Sequence, residues 1–455
     1  VVYEGVYTEN IKVNKPHLTI RSENGADKTI IKASNSNDHI FYVTTDNVTI
    51  KGFTVTGTNK AGIYLYFYKS NNCRIEKVNA SNNYYGIYLY NSYNNTITNN
   101  TVSSNNLCGI YLYYSRSNII ANNIVSSNNG DGIYLSDYSS NNIITNNTVS
   151  SNNKYGISSS GDNNTIANNN VSSNKWGGIS IWYSSNNIIA NNNISSNKGP
   201  GIYLCEFSNN IIANNTVSNN SYGIHLVCPS SNTLVNNNMT GNAYYNFRLV
   251  GTQDSHFDNN IDTTNTVDGK PIYYMKNASN KVYDSSTNAG VFYCIWCNNV
   301  TVKDLNPTKN GQGVFFWKTS NSRIENINAT SNVHGIELWY SSSNIIANNT
   351  VSNNNFGIYL YESSSNIIYL NNFIDNTQQV SYSARNIWNS TEKITYTYNG
   401  TQFTNYLGNY WSDYKGSDAD GDGIGDTPYS IDSDKDNYPL MERFENYIVT
   451  PVPNQ

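Results

Sequence analysis

The sequence predicts an all-β chain: a right-handed, single-stranded parallel β-helix of about 22–23 residues and three strands per coil, with a C-terminal cap. Three observations predict it. A glycine-led phrase recurs, as GIYLY at 62–66, 86–90 and 109–113, GIYLS at 132, GISSS at 156, GISIW at 178, GIYLC at 201 and GIHLV at 223; after a gap come GVFFW at 313, GIELW at 335 and GIYLY at 357. Its spacing is regular, 24, 23, 23, 24, 22, 23 and 22 residues in the first run and 22 and 22 in the second, a period that marks a solenoid. Each period holds three short strand signals, seen at 109–129 as GIYLY, NIIAN and NTVSS. One coil buries too little to fold alone, but stacked coils share a continuous core. Parallel crossovers are right-handed in nearly all cases, which sets the expected hand.

Residues 1–61 read as entry coils, short β-branched runs (VYTENIKV, HLTIRSE, KTIIKAS, HIFYVTT) broken by Asn, Gly and Asp. Residues 62–250 are the first repeat array. Strand alternation turns the Ile and Leu of GIYL inward and its two Tyr outward, and Ile120 and Val125 continue the inward set. The Asn repeats suit corners, because Asn tolerates the left-handed backbone region. Asn99, Asn122, Asn146, Asn168, Asn191 and Asn214 are candidates for a hydrogen-bonded ladder along the axis. Residues 251–312 vary the phrase and keep the period, since Asn246, Gly269 and Gly290 follow Gly223 at 23, 23 and 21 residues; an insertion loop is expected at 254–270. The second array is 313–376. Residues 377–447, rich in Trp and Asp, read as a calcium-binding cap over the bare edge of the last coil. Residues 448–455 read as a linker, and the opening VVYEGVY as the start of a mature or trimmed product.

With 27 basic and 32 acidic residues and 13% charged overall, the chain lacks the basic patch a nucleic-acid partner needs. Apolar runs are too short to span a membrane. About seventeen Asn-x-Ser/Thr sequons, among them Asn47, Asn79, Asn277, Asn328 and Asn399, suggest an exported glycoprotein; acceptors inside the NNT phrase, such as Asn146, are expected to be less accessible.

Asp418, Asp420, Asp422, the carbonyl of Ile424 and Asp426 follow the spacing of the front of a calcium loop, with Gly423 at its turn. Position 12 is Tyr429, so Asp432, Asp434 or Asp436 is expected to complete the site around a structural Ca2+. The outward aromatics form two columns, Tyr64, Tyr88, Tyr111, Tyr134, Tyr203 and Tyr359 two residues after the glycine, and Tyr66, Tyr90, Tyr113, Trp182, Trp317, Trp339 and Tyr361 four after it. Such flat faces contact sugar rings or neighbouring chains. Ser158, Ser160 and Ser180 break the columns into patches. Of six cysteines, Cys205 and Cys228 lie one coil apart and could bridge, and Cys294-x-x-Cys297 resembles a redox or zinc half-site. Outside the cell disulfides are favoured over metal; Cys73 and Cys108 complete the set. The acids of the first array (Glu76, Asp131, Asp137, Asp162, Glu206) stand at different offsets on mostly non-adjacent coils, as do Glu337 and Glu362. His225 and His334 read as surface residues.

VTTDNVTIKGFTVTG, the GIYL…NNIIANNTVSSN coils, TTNTVDGKPIYYMKN…AGVFYC and GNYWSDYKGSDADGDGIGDTPY together resemble the NosD-like, pectate-lyase-like β-helix repeats of archaeal cell-surface proteins. The resemblance spans nearly the whole chain and implies export to the cell surface. The family's namesake works in copper-site maturation, yet three Met and five scattered His show no copper cluster here. The expectation is therefore a non-enzymatic surface-layer, sheath, filament or adhesive protein that self-assembles, with glycans as further partners. The rival reading is a carbohydrate-binding or polysaccharide-processing β-helix.

Overall fold

The computed structural model describes residues 1–449. It is a right-handed parallel β-helix, and the chain divides into two compact units: Val1–Ala243 with Leu249–Ile261, and Tyr244–Arg248 with residues 262–449. Helical structure among the described residues is limited to three 3-10 turns, Asp254–Phe257, Ser285–Thr287 and Phe444–Asn446. None is long and apolar enough to cross a membrane.

In the first unit every coil contributes one strand to each of three parallel sheets. The phrase strands Ala61–Tyr66, Tyr85–Tyr90, Ile110–Tyr113 and their successors pair in register, so Ile63, Ile87, Ile110, Ile133, Ile157, Ile179, Ile202 and Ile224 form one inward row. Ile75, Ile97, Ile120, Ile144, Ile166, Ile189 and Ile212 form a second. Val102, Val125, Val149, Val171, Ile194 and Val217 belong to a third. All are fully buried, each contributing about 1.5–3 kcal/mol. The second unit repeats the scheme, with Val314, Ile336 and Ile358 in one row and Ile324, Ile346 and Ile368 in another. The phrase glycines are steric: a β-carbon at Gly109 would lie 2.5 Å from Val125 and 2.7 Å from the Gly132 carbonyl.

The Asn pairs divide two tasks that the sequence had assigned to one residue. Asn99, Asn122, Asn146, Asn168, Asn191 and Asn214 are exposed corner residues with φ between +55° and +58°. The ladder lies one position on, at the buried Asn100, Asn123, Asn147, Asn169, Asn192 and Asn215. Asn147 is typical. Its Oδ1 accepts from the Asn123 backbone N–H (2.9 Å) and side-chain amide (3.0 Å), and its own amide donates to the Ile120 carbonyl (2.9 Å) and Asn169 Oδ1 (3.0 Å). Two parallel ladders run through Asn118, Asn142, Asn164 and through Asn105, Asn128, Asn152. Only a residue with both donor and acceptor can satisfy the inner backbone groups and its own neighbours at every coil.

The cap closes the core of the last coil. Trp411 pairs in register with Phe373, stacks on it at 4.5 Å and on Tyr429 at 4.3 Å, and is 1% exposed. A hairpin of Ile394–Tyr398 and Thr401–Asn405 carries Ile448–Val449 as a third, antiparallel strand. Residues 448 and 449, expected in a linker, therefore belong to the cap; 450–455 lie outside the described residues.

Candidate functional site

The outer face of the phrase strands in the first unit carries a continuous run of aromatic rings. Tyr64, Tyr88, Tyr111 and Tyr134 stack coil on coil at 5.0, 4.9 and 5.3 Å. His39 caps that row, lying over Tyr64 at 4.1 Å. Its Nδ1 accepts the Ala61 N–H at 3.1 Å, and burial lowers its pKa to about 4, so the ring is uncharged at neutral pH. Desolvation pushes the Tyr111 hydroxyl up to about 12 and Tyr64 and Tyr88 up as well. This inner column is thus a self-stacked underlayer, and Tyr64, expected as a contact residue, is only 9% exposed.

The water-facing part is the second column and the corner beside it. Tyr66, Tyr90 and Tyr113 follow one another at 6.2 and 5.5 Å. Phe67 joins Tyr90 at 5.4 Å, and Tyr114 stacks with Tyr138 at 6.0 Å. Tyr138 is 66% exposed. Beyond the serine interruption Trp182, Tyr203 and His225 form a smaller patch, with rings at 5.0 and 5.4 Å.

In the second unit the columns differ. Trp339 stacks on Tyr361 at 4.5 Å and on Tyr359 at 6.1 Å, and all three are half-buried. Trp317, expected at the surface, is 1% exposed, packed on Trp339 at 6.0 Å and Tyr340 at 5.3 Å. His334, read as a surface residue, is 9% exposed and lies 2.5 Å from the Glu337 carboxylate, which also accepts the Trp339 indole N–H at 2.6 Å. Burial pushes the Glu337 carboxyl up, but His334 and Trp339 outweigh it and hold it below the usual carboxylate range. Acids that looked scattered also share a position: Asp137, Glu206 and Glu362 all occupy the left-handed corner just after the phrase (φ +46°, +51°, +47°). Counting from each glycine to the residue after the phrase would have found that column.

The predicted calcium ligands separate into three groups. Asp418, Asp420 and Asp422 converge, with carboxylate oxygens within 4.8 Å of one another. Asp418 accepts the Gly421 and Gly423 N–H groups, both at 2.8 Å, and Asp422 the Ile424 N–H at 2.8 Å. Burial raises the Asp422 carboxyl, with Asp420 and Asp418 adding repulsion. The Ile424 side chain anchors the loop in a cluster with Tyr396, Leu440 and Tyr447. Asp426 instead closes the loop, accepting the Ala419 N–H and Ser417 hydroxyl at 3.0 Å.

The remaining three lie in a separate hairpin, Tyr429–Ile431 with Asp434–Asp436, and do not complete the loop. Asp432 is the exposed turn (φ +44°). Asp434 and Asp436 terminate Asn ladders: Asp434 accepts the Asn386 N–H at 3.2 Å, and Asp436 the Asn409 N–H at 2.7 Å, the Trp411 indole at 3.0 Å and the Tyr438 N–H at 3.0 Å. The last Asn of a ladder has no further Asn to receive its N–H, and a carboxyl oxygen accepts it instead.

Of the sequon acceptors, Asn47, Asn277, Asn328 and Asn399 are exposed, as is Asn146 within the NNT phrase, whereas Asn79 is half-buried and donates to Asp27 at 3.3 Å. Cys294 and Cys297 form a disulfide, and Cys73, Cys108, Cys205 and Cys228 are free thiols. Cys205 registers with Val227 rather than Cys228, so the expected bridge between coils is not made.

These features define a right-handed β-helix protein whose distinctive chemistry is displayed on the outside of its coils. The family model described as periplasmic copper-binding protein (NosD) matches residues 4–177 and 259–416, and that of the right-handed beta helix region matches 138–262. The chain belongs to the NosD family. Its converging side chains do not suit copper, since Asp418, Asp420 and Asp422 offer hard oxygen ligands of the kind calcium prefers.

A sequence search of well-characterised proteins finds no match. Among solved structures the chain is similar to the A-module of the Azotobacter vinelandii mannuronan C-5 epimerase AlgE6, at 16% identity over 59% of this chain and 88% of that one, with a TM-score of 0.44. It is similar to the AlgE4 A-module at 12% identity over 85% and 89% (TM-score 0.40), and to the tailspike protein of E. coli bacteriophage HK620 at 12% over 88% and 75% (0.45). The likeness is one of fold. The expectation of a non-enzymatic chain is corrected: acids that looked scattered share a corner position in Asp137, Glu206 and Glu362, and a repetitive coil is no argument against catalysis.

Proposed function

We propose that this is an exported β-helix protein that binds polysaccharide along the aromatic face of its first unit. The observation that carries the reading is the row Tyr66, Tyr90 and Tyr113, with Phe67, Tyr114 and Tyr138 beside it, spaced at 5.4–6.2 Å on a rigid sheet. Sugar rings stack on such faces, and two-torsion aromatics lose little entropy on binding. Pull-down on insoluble polysaccharides and a glycan array test it. The double variant Tyr90→Ala/Tyr113→Ala should keep the β-sheet circular dichroism and lose at least tenfold in affinity; unchanged retention would reject the face as the contact.

A second observation favours assembly of copies into a surface layer or filament. The first Ile of the NII phrase points outward, and Ile119, Ile143, Ile188 and Ile211 are each about 40% exposed, in a register row that they share with the uncharged Thr96, Thr165 and Thr233. Light scattering of wild type and Ile143→Lys/Ile188→Lys decides it, since assembly through this face disappears in the variant and a monomeric wild type ends the reading. Asp418, Asp420 and Asp422 are proposed to hold a structural Ca2+, and the exposed acceptors Asn47, Asn277, Asn328 and Asn399 to carry glycans.

A further inference from the structure

The corner after the phrase is left-handed in coil after coil, and one coil fills it with Asn91 (φ +48°), which suits that conformation. Most coils place a large or charged side chain there, Tyr114, Asp137, Lys318, Tyr340 and Glu362 among them, and three successive coils hold Tyr183, Glu206 and Cys228, at φ +47°, +51° and +49°. All three line a groove of about 530 Å³, to which the segment after the last of these coils adds Thr252 and His256. That volume lies within the range of small-ligand sites.

The segment is fixed in place. Phe257 is 1% exposed, and ladder residue Asn259 donates to the His256 carbonyl at 2.8 Å. His256 Nδ1 accepts the Thr252 N–H at 3.1 Å. Its ring proton therefore sits on Nε2, leaving an uncharged donor.

We propose that this groove is a separate binding site for an uncharged saccharide unit. Glu206 is the formal charge among its lining residues, and no lysine or arginine lines it. A carboxylate accepts strongly from sugar hydroxyls, Tyr183, 67% exposed, supplies a flat face, and His256 and Thr252 supply polar contacts. A uronate would meet Glu206 as a like charge with no cation to offset it. The proposal shares a ligand class with the aromatic face but none of its residues.

The test is calorimetric titration of the full chain carrying Tyr90→Ala/Tyr113→Ala, which weakens the aromatic face, with cellohexaose, maltohexaose, mannohexaose and hexagalacturonate. At least one neutral hexaose should saturate below millimolar concentration, and the uronate should bind at least tenfold more weakly. Glu206→Gly and Tyr183→Asn should each weaken binding at least tenfold while leaving the melting temperature equal or higher, because both relieve a left-handed corner. A residue kept for structure would lower the melting temperature instead. Equal or tighter uronate binding, unchanged affinity in both variants, or no saturation by any neutral hexaose overturns the proposal.

Discussion

Asp436 shows how one carboxylate couples the cap to pH. It is fully buried, and that burial lifts its pKa to about 7 against the pull of the Trp411, Asn409 and Tyr438 donors. Its unfolded value is about 3.9. The folded state therefore holds the proton more tightly than the unfolded chain, and stability should fall as pH rises from about 4 to 7 and level off above. At 1.36 kcal/mol per unit the span is roughly 4 kcal/mol. Asp131, lifted by burial to about 6, adds the same sign. Urea denaturation between pH 4.5 and 8 checks it. His39, held at about 4, contributes the opposite sign, so the readout is the difference between the two chains. The stability of wild type relative to Asp436→Asn, which cannot release a proton, should fall across that range. An identical slope in the variant would place the pH dependence elsewhere.

Within a coil, Asn146 and Asn147 are adjacent and identical in sequence yet opposite in consequence. Asn147 makes four buried hydrogen bonds, and an orphaned buried polar group costs about 1–3 kcal/mol. Asn147→Ala should thus destabilise by about 3 kcal/mol or more. Asn146, exposed with φ +55°, should accept glycine with a change under about 0.5 kcal/mol, and valine at a cost of about 1–2 kcal/mol. Chemical denaturation of the three variants separates the roles, and equal losses at both positions would contradict the division of labour.

The same pair marks how far the sequence could be read. Period 22 and period-2 alternation dictated the coil, the inward Ile rows and the outward tyrosines. Which Asn of a doublet turns the corner depends on backbone phase, and composition does not carry phase. Likewise, exposure of Trp317 and His334 depends on packing around their coils, and the roles of Asp434 and Asp436 follow from where the ladders end, a fact of three-dimensional registration. The groove at Glu206 needed residues from three coils and the segment after them, and neither period nor motif reports such a junction.

At the scale of the whole molecule, a solenoid is as stable as its end lets it be, because each coil contacts only its neighbours and an open end exposes a strand edge. In the second unit the closing element is the cap, where Trp411 and Ile431 join the core that includes Phe373 and Val380. The acidic loop is tied to that cap, with the Tyr396 hydroxyl donating to the Asp422 carbonyl at 2.8 Å and that of Tyr447 to the Gly423 carbonyl. Three carboxylates held within 4.8 Å repel one another until a cation joins them. Calcium bound to the folded loop at a hundred times its Kd would stabilise by about 2.7 kcal/mol. Excess chelator should therefore lower the melting temperature by several degrees, and added Ca2+ should restore it. Asp420→Asn/Asp422→Asn should melt at the same temperature with and without chelator, since its loop has little charge to gather. A wild-type melting temperature indifferent to chelator would assign the loop to hydrogen bonding alone, with Asp418 and Asp426 closing it through the backbone donors they already hold.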